Sequence, residues 1–417
     1  MTGQRNPHGG VLQTIPLGGA RRFIYSTAAI EAAITRGEVR DALAFKVRYV
    51  VDAIVRQRLG VARIAEKRSK PSRLWSRQLT AVLGGKGYRA ALDWLIGRGL
   101  ISTTGIYVVG KSARGYAITK RGWRGGPVPI EMTDRQAGIY EKGRAMLRKE
   151  SNRRRNAENV PLDYLHLHLG RLQFDEAEVA RYFAEMPAPA TWKKAERIHS
   201  HAYSAALVAG RAWTFHRCAA GRLHYPHTNL PKALRRLLTY QGDDLVEVDV
   251  ASCQPFLAST LYPVGEEERR RYLADVKTPG FYERLGEAAR WAGSQDGLKK
   301  EIIKVCFFGS RSQASGPVWE AFAATYPVLA GIIFNGKERD KWRGDSRLAM
   351  ALQGAEAKVF IDGALRRIAI EMPGVPALPL HDGFLTTASN AEEVKAILEE
   401  EFIREIGEAP TIKNKAA

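Results

Sequence analysis

Two aspartates in the second half of the sequence stand where a phosphoryl-transfer site would need them. Asp249 lies in an alternating apolar and acidic run over 245–250, which predicts a β-strand followed directly by a helix. Asp382 lies in the run 377–387, which predicts a β-hairpin with His381 and Asp382 at its turn. Mg²⁺ prefers carboxylate oxygens, and two ions about 3.5–4 Å apart can activate an attacking oxygen and neutralise a leaving one. The pair indicates two-metal chemistry, with turn or capping roles as the alternative.

Two lysines and an aromatic residue lie between these aspartates in the sequence. On a helix, Lys300, Lys304 and Phe308 follow one another at i, i+4 and i+8 and share one face. Cations can hold a triphosphate, and an aromatic ring can stack on a base or bound a sugar. The alternative is an amphipathic helix with a solvated lysine face.

The region ahead of these residues divides into a lead-in and a basic domain. Residues 1–25 are rich in Gly and Pro without periodicity, which predicts a flexible segment. A helical pattern runs from Ser26 to about Leu59, and we predict a DNA-binding domain over 26–130. The Gly- and Pro-rich stretch 120–135 predicts a linker.

Inside this domain, predicted helices over 75–82 and 88–98 are followed by a predicted hairpin with strands at 100–101, 106–109 and 116–119. This order resembles a winged-helix module. The resemblance implies that the second helix faces a major groove and that the hairpin lies near phosphates. Winged helices also serve as protein-docking modules. The residues implied in nucleic-acid contact are Lys86 and Arg89 on the helix and Lys111 and Arg114 on the wing.

Residues 133–218 are predicted to be helical throughout, and 131–218 to form a helical thumb-like region. The pairs His166/His168 and His199/His201 have a spacing compatible with a metal ion. No cysteine or carboxylate set completes such a site, so we expect surface or capping histidines.

The net charge of the 417-residue chain is +20, from 64 Lys+Arg and 44 Asp+Glu, and it is unevenly placed. Residues 1–130 carry 23 basic and 6 acidic side chains, 131–240 carry 19 and 11, and 241–417 carry 22 and 27. The net charges are therefore +17, +8 and −5. The front half suits a polyanion. A high arginine content from codon bias explains the total but not this division.

Several classes of protein do not fit this sequence. No run reaches the ~18–20 apolar residues of a membrane span, and the first 20 residues contain no apolar signal-peptide core. Cys218, Cys253 and Cys306 lie too far apart for a zinc motif and are too few for a disulfide framework. We expect a protein of the reducing cytoplasm, with no membrane partner.

Five short motifs over 219–387 resemble, in order, the palm and fingers of family A polymerases, the group of bacterial DNA polymerase I and the phage-type single-subunit RNA polymerases. Gly221-Arg222-Leu223 with Asn229-Leu230-Pro231 is similar to the segment that contacts the primer–template. Asp249 is similar to the motif A aspartate and Asp382, after His381, to that of motif C; both bind metal in the family. Lys300 with Phe308-Gly309 is similar to motif B, where the lysine binds the nucleotide phosphates. Gln353-Gly354 is similar to the Q-G helix, which lies along the minor groove of the primer–template.

This sequence departs from the family pattern at several positions. Ala220 and Ala349 replace a Thr and an Asn, and Asp296 replaces the usual Arg of motif B, so that either Lys299 or Lys304 takes its phosphate contact. Gln254, which the resemblance implies in nucleotide binding near the sugar, stands where the DNA polymerases carry a Glu that crowds a ribose 2′-hydroxyl and the RNA polymerases carry Gly. Phe308 lacks the hydroxyl with which the RNA polymerases sense ribose, which favours deoxynucleotides.

The resemblance implies an α+β fold. Its parts are an antiparallel palm with small helical fingers over 219–417, the helical thumb-like region and the winged-helix-like domain. It implies a template-directed DNA polymerase of a plasmid, phage or mobile element, with two Mg²⁺ ions, nucleoside triphosphates, a primer–template and a replication-initiation or helicase partner. A primase or RNA polymerase on the same scaffold and a non-catalytic DNA-binding replication initiator are the alternatives.

Overall fold

Helices and short antiparallel strands are interspersed along the chain, so the computed structural model has the mixed α+β architecture predicted from the sequence. The structure describes residues 23–37, 39–60, 72–74, 76–104, 115–143, 161–187, 192–209, 215–263, 265–278, 280–337 and 347–416. It divides into two compact units. The N-terminal unit comprises Met1–Asn159, Gln173–Trp213 and Asn229–Leu237, and the C-terminal unit comprises Val160–Leu172, Thr214–Thr228 and Leu238–Ala417.

The bounds of the elements are as follows. The α-helices are α1 (Ala28–Arg36), α2 (Asp41–Gly60), α3 (Ser76–Leu83), α4 (Gly85–Gly97), α5 (134–143), α6 (Leu162–Leu169), α7 (Glu176–Ala184), α8 (Trp192–Ala209), α9 (Lys232–Arg235), α10 (Cys253–Ala258), α11 (Glu267–Val276), α12 (Gly280–Ala288), α13 (Gln295–Ile302), α14 (Pro317–Thr325), α15 (Pro327–Gly336), α16 (Arg347–Ala357), α17 (Arg366–Glu371) and α18 (Ala391–Ile406). The strands are β1 (Phe23–Thr27), β2 (Ser72–Arg73), β3 (Ile101–Thr104), β4 (Gly115–Ile118), β5 (Pro127–Glu131), β6 (Leu172–Phe174), β7 (His216–Arg217), β8 (Leu223–His224), β9 (Leu238–Tyr240), β10 (Asp243–Val250), β11 (Leu378–Pro379), β12 (Gly383–Thr387) and β13 (Ile412–Ala416). Two π-helical segments, Ile303–Phe308 and Lys358–Leu365, continue α13 and α16.

Two expectations for the N-terminal unit are wrong. The chain is extended at Ser26 and begins its first helix only at Ala28, and 127–131 form strand β5 instead of a linker. The two strands pair antiparallel, with Phe23 opposite Glu131. The reason is that Ile24 and Tyr25 are buried in the core, so their strand needs a hydrogen-bonding neighbour.

The predicted helix–turn–helix and hairpin correspond to α3, α4 and the sheet β2-β4-β3, where Ile101 pairs with Ile118. The predicted strand over 106–109 lies outside the described residues. The winged-helix assignment of this order stays a prediction.

A buried ion pair lies in the core of the N-terminal unit. Asp52, 2% exposed, accepts hydrogen bonds from the Tyr25 backbone N–H (2.6 Å) and the Tyr140 hydroxyl (2.8 Å), and it binds the Arg56 guanidinium at 2.6 Å. That guanidinium also lies over the rings of Tyr25, Tyr140 and Tyr203. The pair satisfies its polar atoms inside an aromatic shell, as a buried charge requires.

The expectation of helix throughout 133–218 is wrong at β6 and β7, and His168 is not a surface histidine. Its side chain is fully buried in the C-terminal unit, with Nδ1 2.6 Å from the Tyr240 hydroxyl and Nε2 3.0 Å from the Pro373 carbonyl oxygen. These two hydrogen bonds satisfy the imidazole, so the spacing with His166 reflects packing and not metal binding.

Strand β10 is the centre of the sheet in the C-terminal unit. It pairs antiparallel with β12 along one edge and with β9 and β13 along the other. Helix α18 packs on β10 and β12, and it buries Val394, Leu398 and Phe402. The functional candidates of the C-terminal half are built on this sheet and the helices next to it.

Candidate metal centre and its charged surroundings

The alternation of β10 separates an apolar face from an acidic one. Successive strand residues point to opposite faces, and Val248 and Val250 are buried at 0% and 2% exposure. Glu247 and Asp249 therefore share the other face of the same strand. The predicted strand is confirmed, and its sequence explains why two carboxylates are displayed side by side.

The predicted hairpin around Asp382 is also confirmed. Strands β11 and β12 pair with Pro379 opposite Phe384, and the Leu380 N–H donates to the Gly383 carbonyl oxygen at 2.8 Å. The Val250 N–H donates to the Asp382 carbonyl oxygen at 3.1 Å, which ties the turn to β10. A Cβ at Gly383 would lie 2.4 Å from the Val248 carbonyl oxygen, so only glycine lets the two strands approach this closely.

These two elements bring three carboxylates together. One oxygen each of Glu247, Asp249 and Asp382 lies within 4.8 Å of the others. Glu247 is buried, Asp249 half-buried and Asp382 exposed. Although Asp382 reaches the surface, desolvation by the surrounding protein, and then the charges of Asp249 and Glu247, raise its pKa. Three oxygen donors that repel one another are a set that a hard divalent cation would stabilise.

Glu247 was not among the residues predicted from the sequence. Its position two residues before Asp249 in an alternating strand is the signal that could have identified it, because i and i+2 lie on one face of a strand.

A lysine from the end of the chain also contacts this acidic cluster. In β13, Lys413 lies opposite Asp249 and Lys415 opposite Glu247 in the strand register. The Lys415 ammonium forms an ion pair with Asp249 Oδ2. Lys415 was likewise not predicted, because strand register between distant segments leaves no local pattern.

Arg222, predicted to contact nucleic acid, binds a buried carboxylate. Its Nε lies 2.6 Å from Oε1 of Glu356 in α16, and the Gln254 amide also donates to Glu356. Burial raises the pKa of Glu356 to about 7, although the Arg222 charge acts to lower it. Gln254, predicted to be near the nucleotide sugar, is therefore held by Glu356 in this structure.

Gly221 makes this contact possible. Its φ of +83° lies in the left-handed region, and a Cβ there would meet the Cβ of Ala357 at 2.9 Å. The β7–β8 hairpin can therefore lie directly against α16. Burial, and then the charges of Glu356 and Asp382, raise the pKa of the Cys253 thiol well above its ordinary value, so both groups of charges act on this one side chain. The Arg222–Glu356 pair and the acidic cluster are thus electrostatic neighbours.

The predicted lysine helix is only partly a regular α-helix. It ends at Ile302, and the π-helical segment Ile303–Phe308 carries Lys304 and Phe308 and packs against α10 and α16. Lys304 binds Glu301 at 3.0 Å. Lys300 is exposed and has no ion pair with any residue the structure describes.

The end of this segment is tied to a buried lysine. Lys337, 1% exposed, donates from Nζ to the Gly309 carbonyl oxygen at 2.9 Å, and burial lowers its pKa to about 8. This hydrogen bond holds the glycine that follows Phe308. Wide π turns often occur at functional sites.

The other predicted residues occupy varied positions. Gln353 is half-buried on α16, and the His381 ring centroid lies 5.5 Å from that of His224. Lys86 and Arg89 are exposed in the first half of α4. Asn229, half-buried, belongs to the N-terminal unit. Lys111 and Arg114 lie outside the described residues.

No protein-family model matches the chain, and none of the curated proteins compared with it is significantly similar in sequence. Among the described helices, none combines the length and the apolar character needed to cross a bilayer.

Proposed function

We propose that this chain is a template-directed nucleotidyltransferase, a DNA polymerase that serves replication of a plasmid, phage or other mobile element. The observation that supports the proposal most is the meeting of Asp249, near the end of β10, with Asp382, in the turn just before β12, and with Glu247 beside them. Each motif is short, but their aspartates share one site, as a two-metal centre requires.

In this proposal Glu247, Asp249 and Asp382 hold two Mg²⁺ ions. Bound there, the ions would activate the primer 3′-hydroxyl for in-line attack on the α-phosphate and neutralise the departing pyrophosphate. Lys300, an exposed cation, contacts the triphosphate. Lys304, another candidate for that contact, is paired with Glu301, and Arg222, implied in primer–template contact, is paired with Glu356.

Primer extension with the full chain tests the proposal. We expect Mg²⁺-dependent incorporation of deoxynucleotides, lost by about 100-fold or more in Asp249→Asn and in Asp382→Asn, because several kcal/mol of metal stabilisation disappear. Asp244→Asn is the matched control, since Asp244 is exposed on the same strand and pairs with Thr239 away from the cluster. Full activity in either cluster variant would contradict the proposal, as would a wild-type chain that incorporates no nucleotide.

The same assay separates the alternatives. Synthesis from ribonucleotides without a primer would indicate a primase or RNA polymerase. The Lys415–Asp249 ion pair favours a second candidate, a non-catalytic DNA-binding initiator, because it neutralises one of the carboxylates. Binding to an origin without incorporation of any nucleotide would support that candidate.

A further inference from the structure

A cavity of about 600 Å³ lies in the N-terminal unit, between helix α1, the residues just after α4 and the turn after β4. Among the described residues, its lining contains four alanines of α1 and no acidic side chain. Four arginines, Arg36, Arg98, Arg121 and Arg124, complete the walls, and we call this site the arginine cavity. All four are exposed, so the cavity opens to solvent.

These guanidiniums differ from other arginines of the same unit. Arg48 binds Glu31 of α1 at 2.6 Å, and Arg56 binds Asp52. None of the four arginines of the cavity forms an ion pair within the described part of the chain. Four positive charges thus surround one space with no counterion among the described residues, which favours an anionic ligand from outside.

The backbone that carries these arginines is firmly held. Trp123, between Arg121 and Arg124, is buried, and the N–H groups of Ala28 and Ala29 donate to the carbonyls of Gly126 (3.0 Å) and Arg124 (3.1 Å). On the opposite wall, the Arg98 guanidinium lies 4.3 Å from the centre of the Trp94 ring. The site is therefore formed before any ligand arrives.

Small residues keep the cavity open. Gly125 has a φ of +80°, and a Cβ there would come within 2.7 Å of the Ala28 Cβ. The alanines of α1 present only methyl groups to the space, so a ligand can approach the helix closely.

We infer that the arginine cavity binds the sugar–phosphate backbone of a nucleic-acid strand. A guanidinium is always charged and bonds phosphate oxygens through two N–H groups at once. Four of them suit successive phosphates of a strand better than a single phosphate. The inference extends the proposed function, on which the choice of a nucleic acid rests, and it adds a contact at the opposite end of α4 from Lys86, about 18 Å along the helix.

Fluorescence anisotropy with the full chain tests this inference, using a labelled single-stranded oligonucleotide and the matching duplex without Mg²⁺ or nucleotides. In the variant Arg98→Ala/Arg121→Ala we expect affinity for at least one of the two to fall by about 10-fold or more. The slope of log K against log salt should decrease by about 0.7–0.9 for each lost phosphate contact. Ala32→Leu, which adds bulk without changing charge, should weaken the same binding.

Arg135→Ala/Lys142→Ala is the matched control, because it removes the same charge from exposed positions of α5. Thermal unfolding confirms that each variant is folded. The inference would be overturned if the control variant lost as much affinity for the oligonucleotides. It would also be overturned if the Arg98→Ala/Arg121→Ala chain bound both oligonucleotides as tightly as the wild type does. In a separate titration with a labelled nucleoside triphosphate, a loss of affinity for the triphosphate with no loss for either oligonucleotide would also overturn it. If the wild-type chain incorporates no nucleotide but its oligonucleotide binding depends on these arginines, the inference about the arginine cavity stands and the proposed polymerase function is contradicted.

Discussion

The Lys415 ammonium changes the balance of charge at the acidic cluster. Its ion pair with Asp249 satisfies a carboxylate that two neighbouring carboxylates repel, and a metal ion bound there must displace it. Because Lys415 is 44% exposed, its attraction is partly screened by solvent.

We predict that Lys415→Met strengthens divalent-cation binding. Loss of a competing ion pair worth up to about 1 kcal/mol corresponds to about fivefold tighter binding. Calorimetric titration with Mn²⁺ measures it, and Lys413→Met on the same strand is the control. Unchanged or weaker Mn²⁺ binding in Lys415→Met would contradict competition between the ammonium and the metal ion.

Residue types alone predicted part of this site. Asp249 and Asp382 were identified because each lies in a recognisable local pattern. Glu356 was not, because its role depends on burial and on Arg222, 134 positions away in the chain. Burial and long-range ion pairs arise from tertiary packing and leave no periodic signal.

At the scale of elements, the distance between β10 and β12 determines whether Asp382 reaches the cluster. Gly383 sits opposite Asp249 in the register, and its hydrogen atoms face the backbone of β10. The glycine that follows Asp382 is therefore a packing requirement.

We predict that Gly383→Ala destabilises the C-terminal unit by about 1–3 kcal/mol, because a methyl group would press on backbone that cannot move aside. The shift of β12 should also weaken Mn²⁺ binding. Urea unfolding and the same titration measure both effects. Gly374→Ala is the control, since a Cβ there meets no atom within 4 Å. Equal stability of the two variants would contradict this account.

The elements themselves were predicted unevenly. Strong alternation predicted β10, and turn residues predicted the hairpin at Asp382. The strand β5 was missed because Gly and Pro in 120–135 indicate a loop, whereas its pairing with β1 is decided by residues about 100 positions earlier. The π-helical turns after α13 and α16 have no sequence signature of their own.

At the scale of the whole molecule, each of the two units buries charged side chains of its own. In the N-terminal unit the Asp52–Arg56 pair is surrounded by tyrosines, whereas the C-terminal unit buries Glu268 against the N–H groups of Val328 and Leu329. Removal of one member of a buried pair leaves the other charge unpaired.

We predict that Asp52→Ala lowers the free energy of unfolding of the N-terminal unit by about 3–5 kcal/mol. Nucleic-acid binding should weaken with it, while the Mn²⁺ affinity of the acidic cluster stays unchanged. Urea unfolding followed by fluorescence measures the first effect, with Asp93→Ala, an exposed site on α4, as the control. A loss below 1 kcal/mol would mean that Asp52 behaves like a surface carboxylate.

The uneven charge predicted a polyanion partner for the front of the chain but no particular site. Arg36, Arg98, Arg121 and Arg124 come from three separate segments, and only the folded N-terminal unit places them around one cavity. Amino-acid composition predicts only that a partner would be negatively charged, whereas the tertiary structure determines where such a partner would bind.

The alternating strand β10 also protects the sheet against mispairing. A slip of one residue would exchange its faces, so that Glu247 and Asp249 would enter the apolar side and Val248 would leave it for the acidic side. Burying two unpaired carboxylates costs several kcal/mol each. The hydrogen bonds of a shifted strand do not offset this cost. The residues that make this strand a candidate for chemistry therefore also select its correct alignment during folding.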